Sequence, residues 1–88
     1  MRAFLLAFLI GFSANAADKS VSLKVAGWHS KGDAFKTEEA VRGVKGVKSV
    51  KSDVPGKRLE VGFDDSVTSR DHIVKAIADA GYDAKPEP

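Results

Sequence analysis

The sequence predicts an α+β domain whose elements run βαββαβ. Three observations point to it. Four short stretches, Val21–Ala26, Val47–Val54, Arg58–Phe63 and Tyr82–Lys85, alternate apolar and polar residues at the period of a strand. Two longer stretches, Ala34–Val44 and the one opening at Thr68, place apolar residues at helical spacing. Turn and loop chemistry separates them, at Gly27–Asp33, Gly46, Pro55-Gly56-Lys57 and Gly81.

In the first strand Val21, Leu23 and Val25 share the core face. Gly27 ends it, and the loop Gly27–Asp33, reading G-W-H-S-K-G-D, leads into the first helix. There Ala34, Thr37, Val41 and Val44 form the buried stripe, with Phe35 and Ala40 beside it and most of the charges outside it. Gly46 is the expected stop. The second strand carries Val50, Ser52 and Val54 on one face. Pro55-Gly56-Lys57 is a tight turn, and the third strand turns Leu59, Val61 and Phe63 inward, so the two strands form a hairpin. Thr68, with Asp71 three residues on, has capping-box spacing and opens the second helix. Ile73, Ala76, Ile77 and Ala80 are its stripe, Gly81 closes it, and Pro86-Glu87-Pro88 is expected to fray after the last strand. In so short a chain this order implies a ferredoxin-like, four-stranded antiparallel sheet with both helices on one face. The two helices then start at opposite ends of the sheet. The end of the second, at Gly81-Tyr82, returns to the loop Gly27–Asp33.

The N-terminus reads differently. Met1-Arg2, the apolar run Ala3–Phe12 and the small residues Ser13-Ala14-Asn15-Ala16 have the form of a secretory signal peptide over residues 1–16. The run is too short for a membrane helix, which needs about 20 residues. Residues 17–88 are then one periplasmic or secreted domain with a single modest core, out of the membrane once the leader is cut. The 14 basic and 12 acidic residues are interspersed, with no stripe that would track nucleic acid. The absence of cysteine removes disulfides and every thiolate ligand or nucleophile. No nucleophile–base–orienter set and no glycine-rich phosphate loop is present, so the chain does not read as an enzyme.

Taken together, the strand ending in Gly27, the helix leading to Val44-Lys45-Gly46-Val47, the hairpin ending in Val61-Gly62-Phe63-Asp64-Asp65, and Ile73…Ile77…Ala80-Gly81-Tyr82 resemble the heavy-metal-associated domain family. The likeness is greatest to periplasmic mercury-binding proteins and copper-chaperone-like modules, and it spans Val21 to Lys85. The resemblance implies metal-ion binding or transfer, with a metal transporter or another exported protein as partner and a monomeric chain. In the family the loop reads Gly-Met-x-Cys-x-x-Cys, and two thiolates hold a soft ion such as Cu(I) or Hg(II). Here Trp28 stands at the Met position, which packs under the loop, and Ser30 and Asp33 stand at the two Cys positions.

The loop supports two readings. As a metal site, His29 offers an imidazole, Asp33 a carboxylate and Ser30 a weak hydroxyl, a set that suits Zn(II), Ni(II) or Cu(II) and binds weakly without further ligands. Tyr82 is nearby but a poor ligand at neutral pH, and His72 is expected at the other end of the sheet. As a helix start, Ser30-Lys31-Gly32-Asp33 has capping-box spacing, with each side chain reaching the other residue's amide. The corresponding alternative function is a non-metal interaction module that kept the fold, with its exposed sheet face and Trp28 meeting a partner.

Overall fold

Alternation and helical periodicity place the elements where the chain folds them. The computed structural model describes residues 18–87, so the leader expected over residues 1–16 lies outside the described residues. The order is β1 (Asp18–Ala26), α1 (Lys31–Arg42), β2 (Val47–Asp53), β3 (Arg58–Asp64), α2 (Arg70–Asp79) and β4 (Asp83–Pro86). The strands form one sheet in the order β2-β3-β1-β4, with every neighbouring pair antiparallel. Register sets Val21 against Val61 and Leu23 against Leu59, so the apolar faces of the two central strands coincide. Leu23, Val25, Leu59, Val61 and Phe63 meet Ala34 and Val41 of α1 and Ile73 and Ile77 of α2 in one core. Both helices therefore cover the same face, the ferredoxin-like arrangement. Each fully buried Leu or Ile contributes about 2 kcal/mol by leaving water.

Several boundaries move, each for a main-chain or packing reason. β1 begins three residues before Val21, because its ladder with β3 continues to the Asp18–Asp64 pair. α1 ends at Arg42, where the Gly43 amide reaches the Glu39 carbonyl at 3.2 Å, before Gly46. Phe35 is 59% exposed, on the helix side turned away from Ala34, Thr37 and Val41. The N-cap of α2 is Ser69 and not Thr68, its hydroxyl accepting from the His72 amide at 3.3 Å. Thr68 packs its methyl close to Gly46, and its buried hydroxyl has no partner among the described residues. The C-terminus is tied down as far as Glu87. Its amide donates to the Ser22 carbonyl at 2.9 Å, and its carboxylate accepts from Arg58 Nε at 2.8 Å and Ser22 Oγ at 3.0 Å. Those bonds, Arg58 foremost, hold the Glu87 carboxyl below its ordinary value.

One terminus positions the site. After α2 the chain passes through Gly81 at φ +99°, a left-handed conformation that glycine adopts without a Cβ penalty. The Gly81 amide donates to the Ala78 carbonyl at 2.9 Å and the Tyr82 amide to the Ile77 carbonyl at 3.1 Å, the two bonds of a Schellman motif. They fix where Tyr82 leaves the helix.

Candidate functional site

The loop between β1 and α1 is built from its glycine outward. Gly27 sits at φ +105°, and a Cβ there would stand 3.3 Å from Cδ1 of Tyr82, so the residue must both turn left-handed and admit a ring. Trp28 then turns inward and is 3% exposed. Its Nε1 donates to Thr37 Oγ1 at 2.8 Å, and that hydroxyl donates in turn to the Asp33 carbonyl at 2.9 Å. The buried indole N–H and hydroxyl are thus satisfied, and the loop is stitched to the first turns of α1. The resemblance implied that Trp28 packs under the loop, and it does. The expectation that Trp28 meets a partner is corrected: its burial leaves no surface for one.

Asp33 gathers the rest. Its Oδ2 accepts from the His29 amide at 2.7 Å and its Oδ1 from the Tyr82 hydroxyl at 2.7 Å. The His29 amide, then the Tyr82 hydroxyl, hold its carboxyl below the ordinary value, with smaller help from the charges of His29 and Lys36. The same bond, with some desolvation, raises the Tyr82 phenol. The capping box forms in altered shape. Ser30 is the N-cap of α1, but its hydroxyl makes no cap bond, and the Asp33 amide donates to the Ser30 carbonyl instead, at 3.1 Å. The Asp33 carboxylate reaches the amide of His29 and not that of Ser30, while its other oxygen accepts from Tyr82, both charge-assisted bonds. It still lies at the positive end of the α1 dipole.

The loop therefore brings His29, Ser30 and Asp33 to one end of the sheet, His29 and Ser30 exposed and Asp33 half-buried, with Tyr82 bonded to Asp33. His72 is apart from them. It lies in the first turn of α2, which begins beside the start of β1, where Lys19, Val21 and Ser69 line a shared concavity of about 420 Å³. Asp64 is engaged by the Ser66 amide and hydroxyl at 2.9 and 2.6 Å, and Asp65 faces Lys19 at 3.9 Å, so the strand end accounts for both carboxylates. Arg42 is occupied by Glu38 and Glu39 on its own helix. Among the described residues no group of three or more His, Cys, Asp or Glu side chains converges. A soft ion does not fit a donor set of imidazole, carboxylate and hydroxyl. Composition alone did not indicate the Tyr82–Asp33 bond; the only sequence signal for it was topological, the return of Gly81-Tyr82 to the loop end.

No family model matches the chain, and no curated protein matches it. Solved structures do. The oxidised MerP of Ralstonia metallidurans CH34 is 32% identical and superposes with a TM-score of 0.79, the match covering 82% of this chain and 100% of that one. The chain belongs to the heavy-metal-associated (HMA) domain family. A copper-binding domain from HMA7, a P-type ATPase, is 25% identical at a TM-score of 0.76 over 78% of this chain and 93% of its own. The metallochaperone CopZ is 27% identical at 0.73, over 76% and 100%. The matched part of HMA7 is named for copper binding, and CopZ is named as a metallochaperone. This HMA domain keeps their fold and lacks cysteine altogether.

Proposed function

We propose that this HMA domain is exported and handles a borderline divalent ion, Zn(II), Ni(II) or Cu(II), as weakly held cargo. The observation that supports the reading is that exposed His29 and half-buried Asp33 share the loop where the family holds its ion, tied by the His29 amide on Asp33 Oδ2 at 2.7 Å. Each Asp33 oxygen accepts one hydrogen bond and keeps lone-pair capacity for a cation. Imidazole and carboxylate suit these ions, and two protein ligands leave positions for water or for groups from a metal transporter or another exported protein. Ser30 contributes at most a weak hydroxyl. Calorimetric titration with each ion should show submillimolar binding that weakens by about tenfold or more in His29→Ala. Absence of binding in that range sinks the reading.

A second reading is favoured by the same carboxylate. Asp33 already orders the loop through two 2.7 Å bonds, which supports a metal-independent interaction module. NMR spectra of Trp28, His29 and Asp33 that stay unmoved by millimolar Zn(II) would select it.

A further inference from the structure

The sheet face turned away from the helices is polar, and its charges are unevenly matched. Residues directly opposed across strands lie on one side of the sheet, and like charges there are destabilising. Asp18 opposes Asp64 near one end, and near the other Lys24 opposes both Lys85 and Arg58. The acidic pair is compensated from within. Lys48 Nζ stands 2.9 Å from Asp18, and the Asp64 carboxyl is held low by the Ser66 hydroxyl and amide that donate to it, with smaller help from the charge of Lys48. The basic cluster is compensated in part, through Arg58 and through Glu87, whose carboxyl is held low by Arg58 first and also by the charge of Lys24. Arg58 takes up Asp53 at 3.4 Å and Glu87 at 2.8 Å, and Glu87 is further held by Ser22. Among the described residues no carboxylate lies within 4.0 Å of the Lys24, Lys57 or Lys85 ammonium.

These three lysines line one open concavity of about 390 Å³ together with Val25, Ala26, Gly27 and a single carboxylate, Asp83. Lys57 is held there by its main chain, at φ +53° with its carbonyl accepting from the Val25 amide at 2.9 Å. We propose that this concavity docks an extended acidic segment of a partner protein, with carboxylates seated among Lys24, Lys57 and Lys85. Asp83 repels a compact polyanion and leaves room for a chain with spaced carboxylates. A second copy of this chain is a poorer occupant, because Lys48 and Lys19 already face the carboxylates at the acidic end. The inference is independent of the metal reading, since neither His29 nor Asp33 lines the concavity.

The test is an NMR titration of the isolated protein with a hexaglutamate peptide. Amide shifts should concentrate at Lys24, Ala26, Gly27, Lys57 and Lys85 and fade as salt is raised. Binding should weaken about tenfold or more in Lys24→Gln/Lys85→Gln, given the loss of two ion pairs, and stay unchanged in Lys31→Gln/Lys36→Gln. Leu23 and Ile77 resonances report that each variant is folded, and Lys57→Gln serves if the double variant is not. Shifts spread over every lysine, or equal losses in both double variants, would overturn the proposal. So would saturation of the same residues by inorganic phosphate, or a dimer that covers this face.

Discussion

Asp33 occupies a position where the family carries a thiolate, and it organises the loop by accepting hydrogen bonds from the His29 amide and the Tyr82 hydroxyl. The physics gives this arrangement a pH window. Asp33 has a lowered carboxyl pKa, so its stabilisation is fully present above the ordinary carboxylate value of about 4 and is lost as pH falls through the lower folded value. Tyr82 has a raised pKa, so its hydroxyl donates fully below the ordinary value of about 10 and is lost as pH rises through the higher folded value. The chain has a single tyrosine, so tyrosinate absorbance reads this residue alone. Its midpoint should lie above about 10 and return toward that value in Asp33→Asn. A wild-type midpoint at the ordinary value, unmoved by the substitution, would show that the Tyr82–Asp33 bond is not formed in solution. Trp28 adds the inner half of the same device, linking the loop through Thr37 to the Asp33 main chain.

At the scale of elements the two helix starts make a controlled pair. Ser69 and Ser30 are both N-caps with extended backbone, but only the Ser69 hydroxyl accepts an amide. Ser69→Ala should therefore cost about 1 kcal/mol in chemical denaturation, whereas Ser30→Ala should stay within about 0.5 kcal/mol. Equal costs would mean that the Ser30 hydroxyl caps α1 after all. The same contrast explains what the sequence could disclose. Strands and helices were legible because Val21, Leu23 and Val25, or Ile73 and Ile77, repeat at the periods that burial requires. The capping pattern was legible as spacing, but spacing does not say which amide a carboxylate will choose. Asp33 meets the His29 amide with one oxygen and Tyr82, 49 residues away, with the other, and no local pattern encodes that second partner. Thr68 was displaced as a cap by packing against Gly46, a contact between segments far apart in the chain.

For the whole molecule, the expected leader and the sheet meet at one point. The expected cut after Ala16 leaves Ala17 ahead of Asp18, the first residue of β1. Asp18 is part of the fold, opposite Asp64 and 2.9 Å from Lys48. A cut there would spare the ladder, while a cut a few residues later would strip pairs from a central strand, whose loss a domain with one small core tolerates poorly. Protein recovered from the periplasm or medium should therefore begin at Ala17 by mass spectrometry. A chain lacking residues 1–17 should melt where that processed form does, and a chain lacking residues 1–21 should melt lower, having lost the pairs Lys19–Phe63 and Val21–Val61 as well. An uncut protein retained in the cytoplasm would refute export. Equal melting of the two truncations would refute the part assigned to the start of β1, because the ladder beyond Ser22 would then suffice to hold β3 between its neighbours.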